Sequence, residues 1–295
     1  MNQKLGITMV FIAAMAWSTA GLFTRVVSTD IPTTLFWRSL IGGLCVLLIY
    51  VFREDKIDIK KCFSFSRGEF VIGALSTLGM VCFISSFFYT TIANVSFIYG
   101  TMPLVTFILA MIFLGVKVDL LSLVSCVMCA IGVMIIMWGV QEFNDIFGIM
   151  LAFGMTFFMA SLTIAAKYFP EADTTKSTYL SGFLGALITM PFSSFGDTLL
   201  IDYAWLAMYG IANLGLGFGV YLFGVQRTTA VTAALVGLME IPIAPIWAWL
   251  LFDEEAGYKT VIGGVVILSA TVMYLTMRKT ENPAPSKTPS TQEER

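Results

Sequence analysis

Long apolar runs recur along almost the whole chain and constrain its fold more than any other feature. Hydrophobic residues make up 58% of 295, charged residues only 12%, and the mean hydropathy is +0.86. Soluble domains carry about 25% charged residues, so a soluble fold could not cover this apolar surface. A helical run of about 20 residues crosses about 30 Å of hydrocarbon. The sequence predicts an all-α polytopic membrane protein with ten transmembrane helices, at 5–27, 33–52, 70–91, 94–115, 119–140, 147–168, 176–195, 203–225, 230–251 and 259–278.

The distribution of lysine and arginine predicts the orientation of these spans. If the N-terminus is cytoplasmic, ten spans return the C-terminus to the same side. Of the 17 basic residues, only Arg25 and Lys259 then face outside, with Arg38 inside the membrane. Cytoplasmic loops are enriched in basic residues, and the inverse orientation would contradict this bias almost throughout. We therefore predict a multi-pass protein of a bacterial inner membrane with both termini in the cytoplasm.

The two halves of the chain share a sequence pattern. Gly6 and Gly148 open similar apolar segments, and Gly79 and Gly217 lie at matching places in spans 3 and 8. Because five spans per half is an odd number, the second copy enters the membrane from the opposite side, as in the inverted repeats of many secondary transporters. We predict a first repeat, a connecting loop, a second repeat and a disordered cytoplasmic tail, at 1–140, 141–146, 147–278 and 279–295.

Several short motifs resemble the EamA-type branch of the drug/metabolite transporter superfamily, and the resemblance covers about residues 5–278. The motifs are Ala16-Trp17-Ser18, Phe36-Trp37-Arg38, Thr91-Ile92-Ala93-Asn94-Val95, Pro103 and Met239-Glu240-Ile241-Pro242. Their order along ten spans and two repeats is similar to that of the family. The resemblance implies a ten-helix bundle around a central cavity that opens to each side in turn. It also implies transport of small metabolites, often outward.

Glu240 lies midway along the ninth run, 230–251, which is otherwise uncharged. A carboxylate at this depth costs about 2.5–3.5 kcal/mol on insertion scales. Glu240 is therefore the first candidate for binding a substrate amine or carrying a coupling proton. The alternative is a structural carboxyl group that is hydrogen-bonded to a neighbouring helix.

Prolines near Glu240 predict interrupted helices. Pro242 and Pro245 lack the N–H groups that would bond to carbonyls four residues earlier, and Pro103 does the same in span 4. Interrupted helices at corresponding positions of two repeats indicate a binding site. The alternative is a kink that serves packing alone.

Other polar and aromatic residues are further candidates for substrate contact. Arg38 could attract an anionic group, or it could extend to the outer headgroups. Asn94 and Asn213 could contact substrate, although an interhelical hydrogen bond is the alternative. Trp17 and Tyr99 lie deep in spans 1 and 4, which the resemblance places around the cavity, although aromatic residues in membrane spans also face lipid.

Composition excludes several classes of function. Histidine, the commonest metal ligand and neutral-pH base, does not occur, nor does a Gly-rich phosphate loop ending in Gly-Lys-Ser/Thr. We predict no enzyme activity, cofactor, metal site or nucleic-acid partner. The predicted partners are a small-molecule substrate, the lipid bilayer and a proton or other ion, with a homodimer left open. The predicted function is secondary transport, as an exporter of a small polar metabolite such as an amino acid or related compound. A membrane sensor or assembly subunit and an intramembrane lipid-modifying enzyme are the alternatives.

Overall fold

All regular structure in the described part of the chain is helical. The computed structural model describes residues 3–53, 62–114, 120–139, 143–169, 171–217, 220, 236 and 239–281. Most of the predicted tail, part of the predicted connecting loop, and residues 218–219, 221–225, 230–235 and 237–238 of predicted spans 8 and 9 lie outside these ranges. The helices are α1 (Gln3–Ser18), α2 (Ala20–Val26), α3 (Ile31–Arg53), α4 (Arg67–Tyr89), α5 (Ile92–Tyr99), α6 (Met102–Leu114), α7 (Leu120–Gly139), α8 (Phe143–Tyr168), α9 (Thr174–Thr189), two short 3₁₀-helices (Met190–Phe192 and Phe195–Asp197), α10 (Leu200–Tyr209), a π-helix (Gly210–Leu216), α11 (Glu240–Phe252) and α12 (Tyr258–Glu281).

Helix length and composition confirm the all-α polytopic fold. Five described segments are long and apolar enough to cross a membrane, at Lys4–Val26, Ile31–Phe52, Arg67–Tyr89, Ile92–Phe113 and Asp145–Leu162. Shorter apolar helices occur in α7, α11 and α12. Large apolar side chains such as Phe52, Trp138 and Leu200 are more than four-fifths exposed. In water such surface would be unfavourable, whereas in a bilayer it contacts lipid.

Four of the predicted spans are not single α-helices in the described residues. Span 7 passes from α9 into a 3₁₀-helix at Met190–Phe192. Span 1 is divided at Thr19 between α1 and α2, and span 4 is divided at Gly100–Thr101 between α5 and α6. In span 8, α10 runs directly into the π-helix. π-helical turns are rare and are frequently found at functional sites. Hydropathy detects the length of such spans but not these interruptions.

Polar caps fix the starts of α4 and α9 and join them to each other. Ser66 Oγ accepts a bond from Glu69 N at 3.2 Å, and Glu69 Oε2 accepts one from Ser66 N at 2.7 Å. This reciprocal pair is a capping box. Asp173 Oδ1 caps α9 by accepting from Thr175 N at 2.8 Å. Asp173 N donates to Glu69 Oε1 at 3.4 Å, so one carboxylate links helices from both halves of the chain.

Packing between helices follows the inverted repeat. Helix α3 packs along α9, α7 along α12 and α5 against α11, and each pair joins corresponding spans of the two halves. A twofold axis relating the halves would place each of these spans next to its counterpart in the other half.

Two glycine contacts are also related by the repeat. A Cβ at Gly79 would lie 3.3 Å from Met159 Sδ, and one at Gly217 would overlap the indole of Trp17. Trp17 and Met159 each follow the first glycine of their half by eleven residues. In both cases a first-span side chain of one repeat therefore closely approaches a third-span glycine of the other repeat.

Candidate functional site

A cavity of about 250 Å³ lies between the two halves. It contains five of the six predicted polar and aromatic candidates, which come from spans 1, 2, 4, 8 and 9. Its lining consists of Trp17, Arg38, Ser76, Gly79, Met80, Phe83, Tyr99, Met102, Met155, Met159, Leu162, Asn213, Leu214 and Glu240. Arg38 and Glu240 are the only charged side chains among these residues, so the described cavity contains one cation and one acid.

Glu240 is the first residue of α11 and is partly buried. It also borders a smaller void next to Ser18 and Ser96. Among the described residues, no basic side chain or hydrogen-bond donor contacts its carboxyl group. A helix N-terminus favours a negative charge, so its position at the start of α11 partly offsets the cost of burial. The carboxyl group is therefore available to a ligand or a proton.

The three prolines lie in the two helices that follow breaks or turns at the cavity. Pro103 is the second residue of α6 and Pro242 the third of α11. Both lie in a first turn, where the missing N–H costs least. Pro245 lies inside α11, where it leaves the carbonyl of Ile241 without its helical bond. The starts of α6 and α11 thus meet the cavity at corresponding places in the two repeats.

Arg38 is buried, with 3% of its surface exposed, so it does not extend to the membrane headgroups. Its Nη2 donates to Asn213 Oδ1 at 2.5 Å, and its guanidinium carbon lies 5.1 Å from the ring centroid of Tyr209. Tyr209 stacks in turn on Phe23, with ring centroids 5.0 Å apart. The cation–π contact and the hydrogen bond fix the guanidinium from two sides. No pattern in the sequence indicates Tyr209 as a residue of the site.

Close packing of α3 against the π-helix brings Asn213 to Arg38. A Cβ at Gly210 would lie 2.7 Å from the carbonyl oxygen of Arg38, and one at Gly42 would lie 2.6 Å from Leu214 Cβ. Glycine at both places therefore permits an approach that larger residues would prevent. Trp17 Nε1 donates to the carbonyl oxygen of Asn213 at 2.9 Å, which fixes the π-helix from the side of α1.

Asn94 lies outside the cavity lining. Its Nδ2 donates to Thr90 Oγ1 at 2.9 Å, and its Oδ1 accepts from Thr260 Oγ1 at 3.0 Å. These bonds join α5 to the end of α4 and the start of α12, as expected for the interhelical alternative. Tyr99, the last residue of α5, does line the cavity.

Methionines form much of the apolar wall, and sequence reasoning did not identify them. Met80, Met102, Met155 and Met159 come from three helices. Flexible thioether side chains adapt to ligands of different shape. Met159 could have been found from the repeat, because it occupies the position of Trp17 in the second half. Among the described residues, no three His, Cys, Asp or Glu side chains are grouped closely enough to hold a metal ion.

A polar network closes the end of the bundle that is predicted to face outside. Arg25 Nε and Glu254 Oε2 are 3.1 Å apart, and Glu254 Oε1 accepts from Ile92 N at 2.7 Å. Arg25 also donates to the carbonyl oxygens of Phe87 and Thr90. The network begins at the carbonyl of Phe87, one helical turn beyond the cavity residue Phe83, and joins both halves of the chain.

Comparison with known proteins agrees with this architecture. A solved crystal structure aligns with a TM-score of 0.66 and 15% identity, covering 94% of this chain and 99% of its own. The chain is 26% identical to the uncharacterized transporter sll1164 of Synechocystis sp. over 79% of this chain and 73% of that protein. It is 21% identical to the pseudopaline exporter CntI of Pseudomonas aeruginosa, over 91% and 95%. The EamA-like transporter family matches twice, at residues 4–138 and 146–276. The chain therefore belongs to the EamA-like transporter family.

Proposed function

We propose that this chain is a secondary transporter that exports a small polar metabolite, such as an amino acid or related compound, across a bacterial inner membrane. The observation that carries the proposal is the cavity itself. Polar and aromatic side chains from both halves meet in one small space, next to a carboxyl group without a partner among the described residues. Membrane ionisable residues that face a cavity mark substrate or ion pathways. The exporter named among the relatives supports outward transport.

Contacts between the halves at both ends of the cavity support alternating access. Arg25 and Glu254 join the halves at one end, and Glu69, Asp173 and Lys176 join them at the other. In a transport cycle the two sets would open in turn, with residues 1–140 and 147–278 moving as the two repeats. We place both termini in the cytoplasm, as the distribution of basic residues predicts.

Glu240 is the proposed coupling residue. In this cycle, the carboxyl group binds a proton when the cavity opens to one side and releases it to the other, while the substrate moves in the opposite direction. Its place at the start of α11 supports this role, because movement of that half-helix would change its access to water.

Metabolite profiling tests the transport function. A bacterial strain that expresses the chain is compared with one that lacks it, and the metabolites in the medium are measured. The exported compound is then studied in proteoliposomes. An unchanged medium, together with no counterflow of any candidate compound, would contradict transport.

A carboxamide at position 240 tests the coupling. We expect Glu240→Gln to abolish transport driven by a pH gradient while counterflow of the same compound continues. The matched control is Glu255→Gln, which changes an exposed carboxylate outside the cavity. Gradient-driven transport by Glu240→Gln at the wild-type rate would exclude the proton-carrying role.

A further inference from the structure

We propose that Arg38 and Asn213 form a binding subsite for a carboxylate group of the substrate, so that the transported compounds are small monocarboxylates. This inference rests on the proposed transport function and specifies which compounds the cavity takes. Both residues line the cavity, and both are almost fully buried, with 3% and 2% of their surface exposed. The subsite therefore lies in the protein interior.

Unused hydrogen-bond donors carry the inference. Arg38 Nη2 is bonded to Asn213 Oδ1, but Nε and Nη1 of Arg38 and Nδ2 of Asn213 make no well-aligned hydrogen bond to a described residue. The Tyr209 hydroxyl interacts with the guanidinium but likewise makes no well-aligned hydrogen bond. Buried donors in folded proteins are nearly always paired, and an unpaired one close to a cavity requires an explanation. A carboxylate is an acceptor with two oxygens and about four lone-pair sites, so it could satisfy donors from both residues.

Charge supports the same ligand. Within the described residues, the ion pairs are Arg25–Glu254 and Lys176–Glu69, so the Arg38 guanidinium has no acidic partner there. A buried cation without a counter-ion is unfavourable, and a substrate anion would provide one. A single guanidinium balances one negative charge. A phosphate would bring a second negative charge into a cavity that already contains Glu240, and this favours the carboxylate.

The site is held in place before any ligand arrives. Tyr209 supports one face of the guanidinium, and Trp17 holds the backbone carbonyl of Asn213. Preorganised charged groups bind with a smaller entropic loss. The cavity of about 250 Å³ is smaller than the roughly 300–1,000 Å³ typical of sites for drug-sized ligands, which favours a small substrate.

The asymmetry of the repeat argues against a merely structural role. Gly79 and Gly217 occupy equivalent positions, and by the same register Asn213 corresponds to Leu75. Packing of the third span of each half therefore does not require an amide at this place. The second half has a polar group where the first half has an apolar one.

An isosteric substitution tests the subsite. Asn213→Asp places a carboxylate next to Arg38 within nearly the same volume, so it should occupy the guanidinium and compete with the substrate. Binding is measured on the purified full chain in detergent as the rise in unfolding midpoint with each member of a ligand panel. The panel contains L-amino acids, short 2-hydroxy acids, the carboxamides of both, and small phosphate monoesters.

We expect only carboxylates to raise the midpoint of the wild-type protein. In Asn213→Asp their apparent affinity should fall by about 10- to 100-fold, as for the loss of hydrogen bonds to a charged group. Arg38→Gln should have the same effect if it folds. The matched control is Asn94→Asp, which makes the same change outside the cavity. It should lower the basal midpoint and leave the ligand-induced rise unchanged.

Several results would overturn the subsite. These are a rise with the carboxamides or phosphate monoesters equal to that with carboxylates, an unchanged affinity in Asn213→Asp, or no rise with any carboxylate. Counterflow in proteoliposomes separates this outcome from a failure of the transport function. Transport only of compounds that lack a carboxylate group would refute the subsite and leave the transporter. Carboxylate binding without transport of any bound compound would refute the transporter and leave the subsite.

Discussion

Arg25 and Glu254 form an ion pair, 3.1 Å from Nε to Oε2, between the first span and the loop before the last one. Both side chains are largely buried, with 27% and 18% of their side-chain surface exposed. Because Glu254 also accepts the N–H of Ile92 at the start of α5, the carboxylate holds three segments together. In the proposed transport cycle, opening this end of the cavity requires these bonds to break.

Removal of this ion pair should open the end predicted to face outside. In Glu254→Gln the ion pair is lost, and we expect the labelling rate of a cysteine at cavity residue Ser76 by an impermeant reagent to rise several-fold from that side. The free energy involved should be about 1 kcal/mol, the upper end for partly exposed ion pairs, which corresponds to about a fivefold change. The measurement uses a background in which the five native cysteines are replaced. Glu255→Gln in the neighbouring exposed position is the control, and an equal rise there would contradict the assignment.

Substitution of Gly210 by a larger residue should displace the backbone of α3 and so disturb the site. The added Cβ would lie 2.7 Å from the carbonyl oxygen of Arg38, which cannot move without moving α3. We expect Gly210→Ala to lower the free energy of unfolding by about 1–3 kcal/mol and to weaken substrate binding. Thermal unfolding in detergent measures the first effect. Gly196→Ala is the control, since no atom lies within 4 Å of its added Cβ, and equal losses in both variants would contradict the packing argument.

Asp202 lies in the first turn of α10, just before the start of the predicted eighth span at 203, and should make stability depend on pH. Burial alone would raise the pKa of this carboxyl group, but hydrogen bonds from the Ser28 hydroxyl at 2.6 Å and the Ser28 N–H at 3.1 Å outweigh it. The net pKa lies below the ordinary 3.8. Since the folded value is the lower one, the stabilisation is complete above the unfolded pKa and is lost as the pH falls through the folded pKa.

We therefore expect the unfolding midpoint of the wild type to drop as the pH is lowered below about 4. Asp202→Asn should show less of this drop and a lower midpoint at neutral pH, where the ionised carboxylate is the better acceptor. Asp253→Asn changes an exposed aspartate in a left-handed turn, a conformation that asparagine tolerates. Its unfolding midpoint should depend on pH as that of the wild type does. If Asp253→Asn instead reduces the drop at low pH as much as Asp202→Asn does, the effect is not specific to Asp202.

Hydropathy and depth predicted much of this architecture, because both reflect the cost of exposing polar groups to lipid. The long helices follow from apolar run length, and Glu240 and Arg38 were identified because charge is expensive inside a membrane. Depth in the membrane does not distinguish Asn213, which lines the cavity, from Asn94, which does not. Asn213 reaches the cavity because Gly42 and Gly210 allow close packing, whereas the Asn94 side chain is hydrogen-bonded to two threonines.

Features that depend on contacts between distant residues were outside the reach of sequence patterns. Tyr209 supports Arg38 across two helices, and the π-helix depends on its packing against α3 and on the bond from Trp17. Neither leaves a periodic signal. The interruption of span 4 lies at Gly100–Thr101, close to Pro103, and the effect of a proline on a helix is local enough to be considered from the sequence.

Glu69 allows the opposite end of the cavity to be tested with the same reporter. Both of its carboxylate oxygens accept backbone N–H groups, from Ser66 and from Asp173, and Lys176 Nζ lies 4.0 Å away. A glutamine has one acceptor oxygen, so Glu69→Gln loses one of these bonds and the charge facing Lys176. We expect a cysteine at Ser76 to become several-fold more accessible from the side predicted to be cytoplasmic and less accessible from the other. This is opposite to the effect of Glu254→Gln, because opening one end of an alternating-access cavity closes the other.

In the double variant Glu69→Gln/Glu254→Gln, the two opposite changes in accessibility should largely cancel. If both single variants instead raise labelling from both sides, the cavity is a leak held shut by two separate contacts rather than a site with coupled ends.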